Sequence, residues 1–285
     1  MFKVLEIDNK ILQLIQLALQ EDLNEAGDRT SNFLIDTPKT GTALIIAKQN
    51  GIIAGLPVAE HVFKLVDQKI SCKRLVEEGA AVEHADSILS ISGSIRGMLT
   101  AERTALNFLQ RLSGIATLTS KFVEQVQGTN AKILDTRKTT PGLRALEKYA
   151  VRVGGGENHR RGLFDMVLIK ENHIAVVGGI HKAVRKVREE MAARNLNLKI
   201  EVETRNLEEL NEALELAVDR IMLDNMNISQ IKKAVQLVRG RLQLEVSGGV
   251  TLENVREIAE TGVDFISIGA LTHSAPALDL SLLLE

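Results

Sequence analysis

Apolar and polar positions change their rhythm near residue 132. From there to residue 269, six short runs rich in Val, Ile and Leu alternate with segments whose apolar residues recur at helical spacing. Such alternation predicts parallel strands joined by helices, and the nearly continuous apolar runs fit strands that helices cover. The predicted strands are 132–136, 165–170, 198–203, 220–224, 242–247 and 264–269. The predicted helices lie near 142–153, 179–194, 206–217, 228–239 and 251–261.

The first third of the chain has a different pattern, in which short apolar runs follow one another with few helices between them. It predicts an α+β domain with an antiparallel sheet. A helix at 8–22 opens this part, and a turn-rich connection at 24–31 follows it. The predicted strands are 42–48, 51–55, 70–76 and 87–94, and the later helices are 56–67, 96–113 and 115–127, with Gly114 between the last two.

Polar, charged or glycine residues stand at the C-terminal end of every predicted strand of the second part. A doubly wound sheet and a barrel both fit the alternation, but these ends favour a barrel, because barrel enzymes place their chemistry at that face. The ends are Asp135–Lys138, Lys170–Asn172, Glu201–Glu203, Asp224–Asn225, Ser247–Gly249 and Gly269–Ala270. Backbone N–H groups at 247–249, ahead of the predicted helix at 251, would suit a phosphate.

Composition narrows the class of protein. Apolar residues make up 45% of the 285 positions and charged residues 25%, which is ordinary for a soluble α/β protein of one or two domains. The formal net charge of −2 argues against nucleic-acid binding through overall charge. Cys72 is the only cysteine, and the N-terminus lacks the pattern of a signal peptide, so we expect a cytoplasmic protein.

Both signs of charge meet in the predicted site. A cationic set would suit any polyanion, but the mixture suits an anionic substrate that needs a metal ion or develops positive charge as it reacts. The cations are Arg137, Lys138, His159, Arg160 and Lys170, and the anions are Glu201, Glu203 and Asp224. Structural roles stay open at this stage: Lys170 could form an ion pair with a barrel carboxylate, and the two glutamates could be a layer of interior side chains.

Several long motifs in this region resemble quinolinate phosphoribosyltransferase. They are TRKTTPGLRALEKYAVRVGGGENHRRGL (136–163), LIKENH (168–173), IEVE (200–203), LDN (223–225), EVSGGV (245–250) and IGALTHSAPALDLSL (268–282). The likeness extends upstream to 101–117 and 21–31. The chain departs from the family pattern by about one extra residue before GDRTS and by Val153, where the family has Cys.

The resemblance implies an α/β fold with two domains. An N-terminal α/β (α+β sandwich) domain would occupy 1–113 and be completed by 275–285, and a C-terminal open α/β barrel would occupy 114–274. The family joins quinolinate to 5-phosphoribosyl-1-diphosphate and releases diphosphate and carbon dioxide, which yields nicotinate mononucleotide for NAD synthesis. It requires Mg²⁺, and it forms homodimers in which one subunit's N-terminal domain covers the other's barrel mouth.

The resemblance also implies a role for each matching residue. Quinolinate would be bound by Arg137, His159, Arg160 and Lys170, with Arg103 from the partner subunit. Phosphoribosyl diphosphate would be bound by Lys138, Thr139, Glu203, Asp224, Ser247, Gly248, Gly249, Gly269 and Ala270. The implied catalytic residues are Lys138, Lys170, Glu203 and Asp224, and the last two would hold the metal indirectly, through water.

Three other functions compete with this one. A same-fold relative associated with molybdate transport would act on another acceptor. A barrel aldolase or lyase would use Lys170 as a Schiff-base nucleophile. A nucleic-acid-binding module would be built on 137–161, but that region lacks interleaved aromatic residues.

Overall fold

The computed structural model describes residues 4–285, and they form two compact units. The first unit contains the chain up to Ser120 together with Thr140–Gly155 and Ser274–Glu285. The second contains Lys121–Thr139 and Gly156–His273. Within residues 4–285, no helix combines the length and the apolar character needed to cross a membrane.

The described elements alternate along the whole chain. The first half consists of α1 Asn9–Leu23, α2 Arg29–Leu34, β1 Thr40–Ala47, β2 Gly51–Ile52, α3 Leu56–Val66, β3 Ser71–Arg74, β4 Ala81–Val82, β5 Ser87–Ser94 and α4 Ile95–Gln125. The second half consists of β6 Lys132–Leu134, α5 Arg144–Val153, β7 Val167–Ile169, α6 Glu171–Val177, α7 Ile180–Ala193, β8 Ile200–Thr204, α8 Leu207–Leu214, β9 Arg220–Asp224, α9 Ile228–Val238, β10 Gln243–Ser247, α10 Val255–Ala259, β11 Phe265–Ser267, α11 Ala270–His273 and β12 Leu280–Leu284.

An antiparallel sheet in the order β12-β1-β5-β3 organises the first unit. In β1, Ala43, Ile45 and Ala47 are buried and alternate with more exposed positions, as expected of a strand with one face on a core. The edge strand β12 comes from the end of the chain, where Leu280 pairs with Ala47. The predicted antiparallel sheet of the first third is therefore confirmed.

The predicted break at Gly114 is wrong, because α4 runs through this glycine without interruption. A Cβ atom at position 114 would lie 2.0 Å from the carbonyl oxygen of Pro276. Glycine is present here because another part of the backbone approaches the helix closely, and not because the helix ends.

The predicted turn at 24–31 is also partly wrong, since α2 begins at Arg29. Asp28 caps this helix: its side chain accepts a hydrogen bond from the Ser31 N–H at 2.9 Å. At six residues, α2 is too short to produce a periodic apolar pattern.

The second unit contains a six-stranded parallel sheet in the order β6-β11-β10-β9-β8-β7. From β7 to β11 each strand lies beside the next in sequence, and β6 returns to lie beside β11, so the order does not reverse as it does in a doubly wound sheet. In the described part of the chain, β6 and β7 stand at opposite edges and do not pair. The fold is therefore the predicted open α/β barrel.

The helix expected to begin at 251 begins later, at Val255. Residues 251–254 form a turn instead, in which Asn254 Oδ1 accepts the Thr251 N–H at 2.9 Å. The loop that follows β10 is therefore longer than predicted.

Candidate active site

A pocket of about 520 Å³ opens at the C-terminal ends of the parallel strands. Every strand of the barrel contributes its end or the residues that follow it, including β7, which contributes Leu168 and, directly after the strand, Lys170. The charged and polar lining is formed by Thr136, Arg137, Lys138, His159, Arg160, Lys170, Glu203, Asp224, Glu245, Ser247, Thr251, Ser267 and His273. The glycines and small residues are Gly248, Gly249, Gly269 and Ala270.

Two arginines give one side of the pocket its positive charge. Arg160 Nη1 donates a hydrogen bond to the Met166 carbonyl at 3.1 Å, which anchors the guanidinium on the loop before β7. Burial and the neighbouring charge of Arg137 lower the pKa of Arg160, although the charges of Glu201 and Asp165 oppose this. The pocket thus holds two guanidinium groups close enough to repel each other.

The buried carboxylate of Asp135 fixes the loop that carries His159 and Arg160. Asp135 directly follows β6 and is fully buried. Its oxygens accept the His159 N–H at 2.9 Å and the Asn158 side-chain amide at 2.6 Å. The segment also pairs with β6 through a parallel bridge between Glu157 and Leu134. Asp135 therefore supports the site from below.

His159 lies between two carboxylates that point into the barrel. Its Nε2 is 3.0 Å from Glu201 Oε2 and 3.4 Å from Glu245 Oε1, while its Nδ1 accepts the Arg160 N–H at 2.8 Å. Burial alone disfavours the imidazolium, but the hydrogen bonds and charges of the two glutamates outweigh burial and raise the pKa of His159. Arg220 Nη1 donates a hydrogen bond to the other carboxylate oxygen of Glu245, Oε2, at 2.7 Å.

The pKa values of Glu201 and Glu245 are shifted in opposite directions. Burial, with the charge of Glu245 added to it, raises the pKa of Glu201. Burial also opposes ionisation of Glu245, but His159 and Arg220 outweigh it and lower the pKa of Glu245. Glu245 is therefore the more strongly ionised member of the pair.

The acidic side of the pocket contains Glu203 and Asp224, the two carboxylates predicted to bind the ribose hydroxyls and, through water, the metal. Lys170 Nζ donates to Glu203 Oε2 at 2.8 Å, so the ion pair weighed from the sequence is present. Asp224 Oδ2 accepts the Asn225 side-chain amide at 2.8 Å. Both carboxylates line the pocket together with Lys170.

Two consecutive glycines after β10 form a loop that only glycine can build. Gly248 and Gly249 have φ values of +94° and +63°. A Cβ atom at position 248 would lie 2.2 Å from Asn225 Oδ1. Asn225 is held in turn by its own N–H, which donates to the Ser247 carbonyl at 2.9 Å, and Asn254 Nδ2 donates to the Gly249 carbonyl at 2.9 Å. Bare backbone in such a loop suits an anion.

A second stretch of close-packed backbone follows β11. A Cβ atom at Gly269 would lie 3.0 Å from Lys138 Cδ and 3.1 Å from the His273 ring. The Thr272 hydroxyl donates to the Lys138 carbonyl at 2.7 Å, which holds the loop after β6 against α11. The lysine side chain therefore passes directly across this glycine.

Most of the predicted site residues line one pocket, whereas Glu201 is buried beside His159 and Arg103 and Thr139 are not among the residues that line it. Arg103 belongs to the first unit, where it lines a cavity of about 290 Å³ that Asn107 and Phe108 also line. Thr139 lies beside the described lining, with its N–H donating to the Arg137 carbonyl at 3.0 Å. Their predicted roles therefore stay predictions.

Sequence reasoning placed Asp135 and Asn225 at strand ends without giving them a role, and it missed Asn254 and His273. Asp135, Asn225 and Asn254 fix the loops, and His273 lines the pocket from a four-residue helix. The strand-end positions of Asp135 and Asn225 were visible in the sequence, but such positions do not distinguish a residue that supports a loop from one that faces the ligand.

The open barrel, the glycine loops and the mixed charges at the strand ends define an α/β-barrel enzyme for anionic, phosphate-bearing substrates. Residues 28–113 match the family described as quinolinate phosphoribosyl transferase, N-terminal domain, and residues 115–283 match its C-terminal domain. The chain therefore belongs to the quinolinate phosphoribosyltransferase family, and the predicted resemblance is confirmed.

Individual relatives agree with this assignment. The chain is 45% identical over 287 residues to the chloroplastic nicotinate-nucleotide pyrophosphorylase (carboxylating) of Arabidopsis thaliana. This alignment covers 95% of this chain and 82% of the relative. The chain is 45% identical over 271 residues to a probable enzyme of the same name from Synechocystis, covering 94% and 90% of the two chains. The solved nicotinate-nucleotide pyrophosphorylase of Francisella tularensis has 43% identity and a TM-score of 0.93, covering 99% of this chain and 98% of that one.

Proposed function

We propose that this protein transfers the phosphoribosyl group of 5-phosphoribosyl-1-diphosphate to the ring nitrogen of quinolinate. The reaction releases diphosphate and carbon dioxide and yields nicotinate mononucleotide, a step of NAD synthesis. One observation carries the proposal: in a chain of this family, a pair of arginines and a two-glycine loop line the same pocket. The pair of arginines suits a dicarboxylate, and the two-glycine loop suits a phosphate.

The acceptor is assigned to the cationic side. Arg137 and Arg160 offer planar guanidinium groups, which bind carboxylates through two parallel hydrogen bonds. Lys170 pairs with Glu203 in the pocket, and we assign it contacts with both the acceptor and the ribose. His159 completes the set assigned by the resemblance.

The donor is assigned to the glycine loops and the acidic side. Its 5-phosphate would contact the backbone at Ser247–Gly249 and at Gly269–Ala270, where side chains are small. Lys138 and Thr139 would contact the diphosphate. Glu203 and Asp224 would face the ribose hydroxyls.

We propose Mg²⁺ as the metal, held through water and substrate by Glu203 and Asp224. Carboxylate oxygens suit this hard cation, and Mg²⁺ usually combines one or two of them with water and substrate phosphates. Each carboxylate already has a protein partner, Lys170 Nζ or Asn225 Nδ2, which fits indirect contacts better than a full set of direct ones. When bound, the metal neutralises the charge of the departing diphosphate.

The side chains then need only align the substrates and stabilise charge. The pyridine nitrogen is itself the nucleophile, so no strong base is required. Glu203 and Asp224 favour the positive charge that develops on the ribose carbon as diphosphate leaves. Loss of the carboxylate as carbon dioxide leaves its electron pair on the adjacent ring carbon, which the positively charged nitrogen stabilises. This carbon then takes up a proton, while the arginines hold the ring in place.

The test is a quinolinate-dependent assay. Purified protein receives quinolinate, phosphoribosyl diphosphate and Mg²⁺, with nicotinate replacing quinolinate in a matched reaction and EDTA replacing the metal in another. We expect nicotinate mononucleotide with equal amounts of diphosphate and carbon dioxide, from quinolinate alone. Folded protein that forms no product would contradict the proposal and favour another acceptor, as in the molybdate-associated relative.

A homodimer with shared active sites and a cytoplasmic location are further parts of the proposal. Arg103 is assigned to the acceptor site of the partner subunit. If so, mixing inactive Arg103→Ala subunits with inactive Lys170→Ala subunits restores activity, because each mixed dimer contains one complete site. A mixture that exchanges subunits but stays inactive would contradict the shared site.

A further inference from the structure

Asn225 joins the ends of two neighbouring barrel strands. Asp224, the last residue of β9, stands opposite Ser247, the last residue of β10. The Asn225 N–H donates to the Ser247 carbonyl at 2.9 Å, which carries the pairing one residue beyond the end of β9. The two-glycine loop, Gly248–Gly249, begins directly after this contact. The backbone of Asn225 is therefore tied to the point where that loop begins.

The side chain of Asn225 lies between the Asp224 carboxylate and this loop. Its Nδ2 donates a hydrogen bond to Asp224 Oδ2 at 2.8 Å. On the loop side, a Cβ atom at position 248 would clash with Asn225 Oδ1 and lie 3.0 Å from Nδ2, so the amide group lies directly against Gly248. One amide thus contacts a carboxylate that we assign to the ribose and a glycine that we assign to the 5-phosphate.

The backbone at Asn225 places the amide in this position. Its φ of +54° lies in the left-handed region, which Asn adopts more readily than most residues with a side chain. Among the described residues, Asp224, Ser247 and Gly248 line the active-site pocket, whereas Asn225 is not part of the lining. Asn225 is therefore placed to act on the site through its neighbours.

We propose that Asn225 is a positioning residue, which holds the Asp224 carboxylate in a fixed orientation relative to the two-glycine loop. The donor requires such a fixed relation, because its ribose hydroxyls and its 5-phosphate are joined by covalent bonds and must reach both groups together. A carboxylate and a loop that are already oriented avoid the entropic cost of ordering them on binding. This proposal rests on the proposed function, which assigns Asp224 to the ribose and Gly248 to the 5-phosphate.

Asn225→Gly removes the amide and keeps the backbone, because Gly adopts a positive φ without strain. We expect the KM for phosphoribosyl diphosphate to rise about fivefold, which is the effect of losing one exposed hydrogen bond. The KM for quinolinate should stay within about twofold, since Arg137 and Arg160 lie on other loops. Asn195→Gly is the matched control, because Asn195 is also exposed, has a φ of +52° and follows α7. This control should leave both KM values unchanged.

Direct binding gives a readout that needs no turnover. Ribose 5-phosphate has the hydroxyls and the 5-phosphate of the donor but lacks the diphosphate, so it binds without reacting. Isothermal titration calorimetry should show a dissociation constant about fivefold higher for Asn225→Gly than for the unmodified enzyme, and unchanged for Asn195→Gly. A purely structural role would lower the melting temperature of Asn225→Gly and leave the KM for phosphoribosyl diphosphate and this dissociation constant unchanged. That result would overturn the proposal.

A double-mutant cycle asks whether the amide acts through the loop. In an Asn225→Gly background, the methyl group of Gly248→Ala no longer meets Oδ1, so only the backbone cost remains. Gly248→Ala should therefore raise the KM for phosphoribosyl diphosphate by a smaller factor there than in the otherwise unmodified enzyme. An equal or larger factor would overturn the proposal. Failure of the unmodified enzyme to convert quinolinate with phosphoribosyl diphosphate would instead contradict the proposed function, so the two failures are distinguishable.

Discussion

Replacing Gly248 by Ala tests the phosphate loop. The backbone at this position has a φ of +94°, and the new Cβ atom would lie 2.2 Å from Asn225 Oδ1 and 2.6 Å from Asn225 Cγ. The left-handed backbone costs about 1–2 kcal/mol for a residue with a side chain. The amide of Asn225 must also move, which breaks its exposed hydrogen bond to Asp224, worth about 1 kcal/mol.

These two contributions act on the loop that we assign to the 5-phosphate. If about half of the combined cost of about 2–3 kcal/mol appears in donor binding, the KM for phosphoribosyl diphosphate rises about five- to tenfold, since about 1.4 kcal/mol corresponds to a factor of ten. The assay is steady-state kinetics at saturating quinolinate, with thermal unfolding measured on the same protein. The KM for quinolinate should change little, because Arg137 and Arg160 lie on other loops, after β6 and before β7.

Gly240→Ala provides the matched control. Gly240 has a similar φ of +70°, stands after α9, and would place its Cβ atom in open space. It shares the backbone cost but not the clash, so its KM for phosphoribosyl diphosphate should equal that of the unmodified enzyme. A Gly248→Ala enzyme with a KM within twofold of normal, or equal changes in both variants, would refute the reasoning.

Three further predictions test other parts of the molecule. Lys170→Ala should lower kcat/KM more than tenfold, above about 1.4 kcal/mol, and near-normal initial rates would contradict the assigned site. Gly114→Ala should lower the melting temperature, because the new Cβ atom would lie 2.0 Å from the Pro276 carbonyl oxygen. This clash should outweigh the preference of Ala for helix, which is about 1 kcal/mol. An unchanged or higher melting temperature would contradict the prediction. Asp28→Ala should destabilise by about 1 kcal/mol at pH 7. Hydrogen bonds from Ser31 lower the pKa of Asp28 below its ordinary 3.8. The stabilisation is therefore present above 3.8 and lost as the pH falls through the lowered pKa, so urea unfolding that shows the same difference at pH 7 and in strong acid would contradict this.

The barrel and the location of its site could be predicted because both depend on features that repeat along the sequence. The six apolar runs recur with helices between them, and parallel strands bring their C-terminal ends to one face whatever their detailed contacts. Lys170, Glu203 and Asp224 therefore reach one pocket even though the predicted strand bounds differ from the observed ones by a few residues.

The supporting contacts could not be predicted, since each joins residues that no local pattern relates. Asp135 looks like any polar residue after a strand until its hydrogen bonds to the loop at 158–159 are seen. Gly114 resembles a helix break for the same reason, because Pro276 lies far away in the sequence. Local propensity describes the average environment of a residue type, whereas these positions are decided by one distant neighbour.

The distribution of charge in the pocket suggests why the acceptor must have two carboxylates. Lys170 already contacts Glu203, and His159 contacts two buried glutamates, so their charges are largely balanced by the protein. Arg160 is different, because burial and the nearby charge of Arg137 destabilise its cationic form. A ligand with two adjacent carboxylates brings a counter-charge to each of the two guanidinium groups, whereas a ligand with one carboxylate brings only one. The mutual repulsion of Arg137 and Arg160 thus favours quinolinate, which has two carboxylates, over nicotinate, which has one.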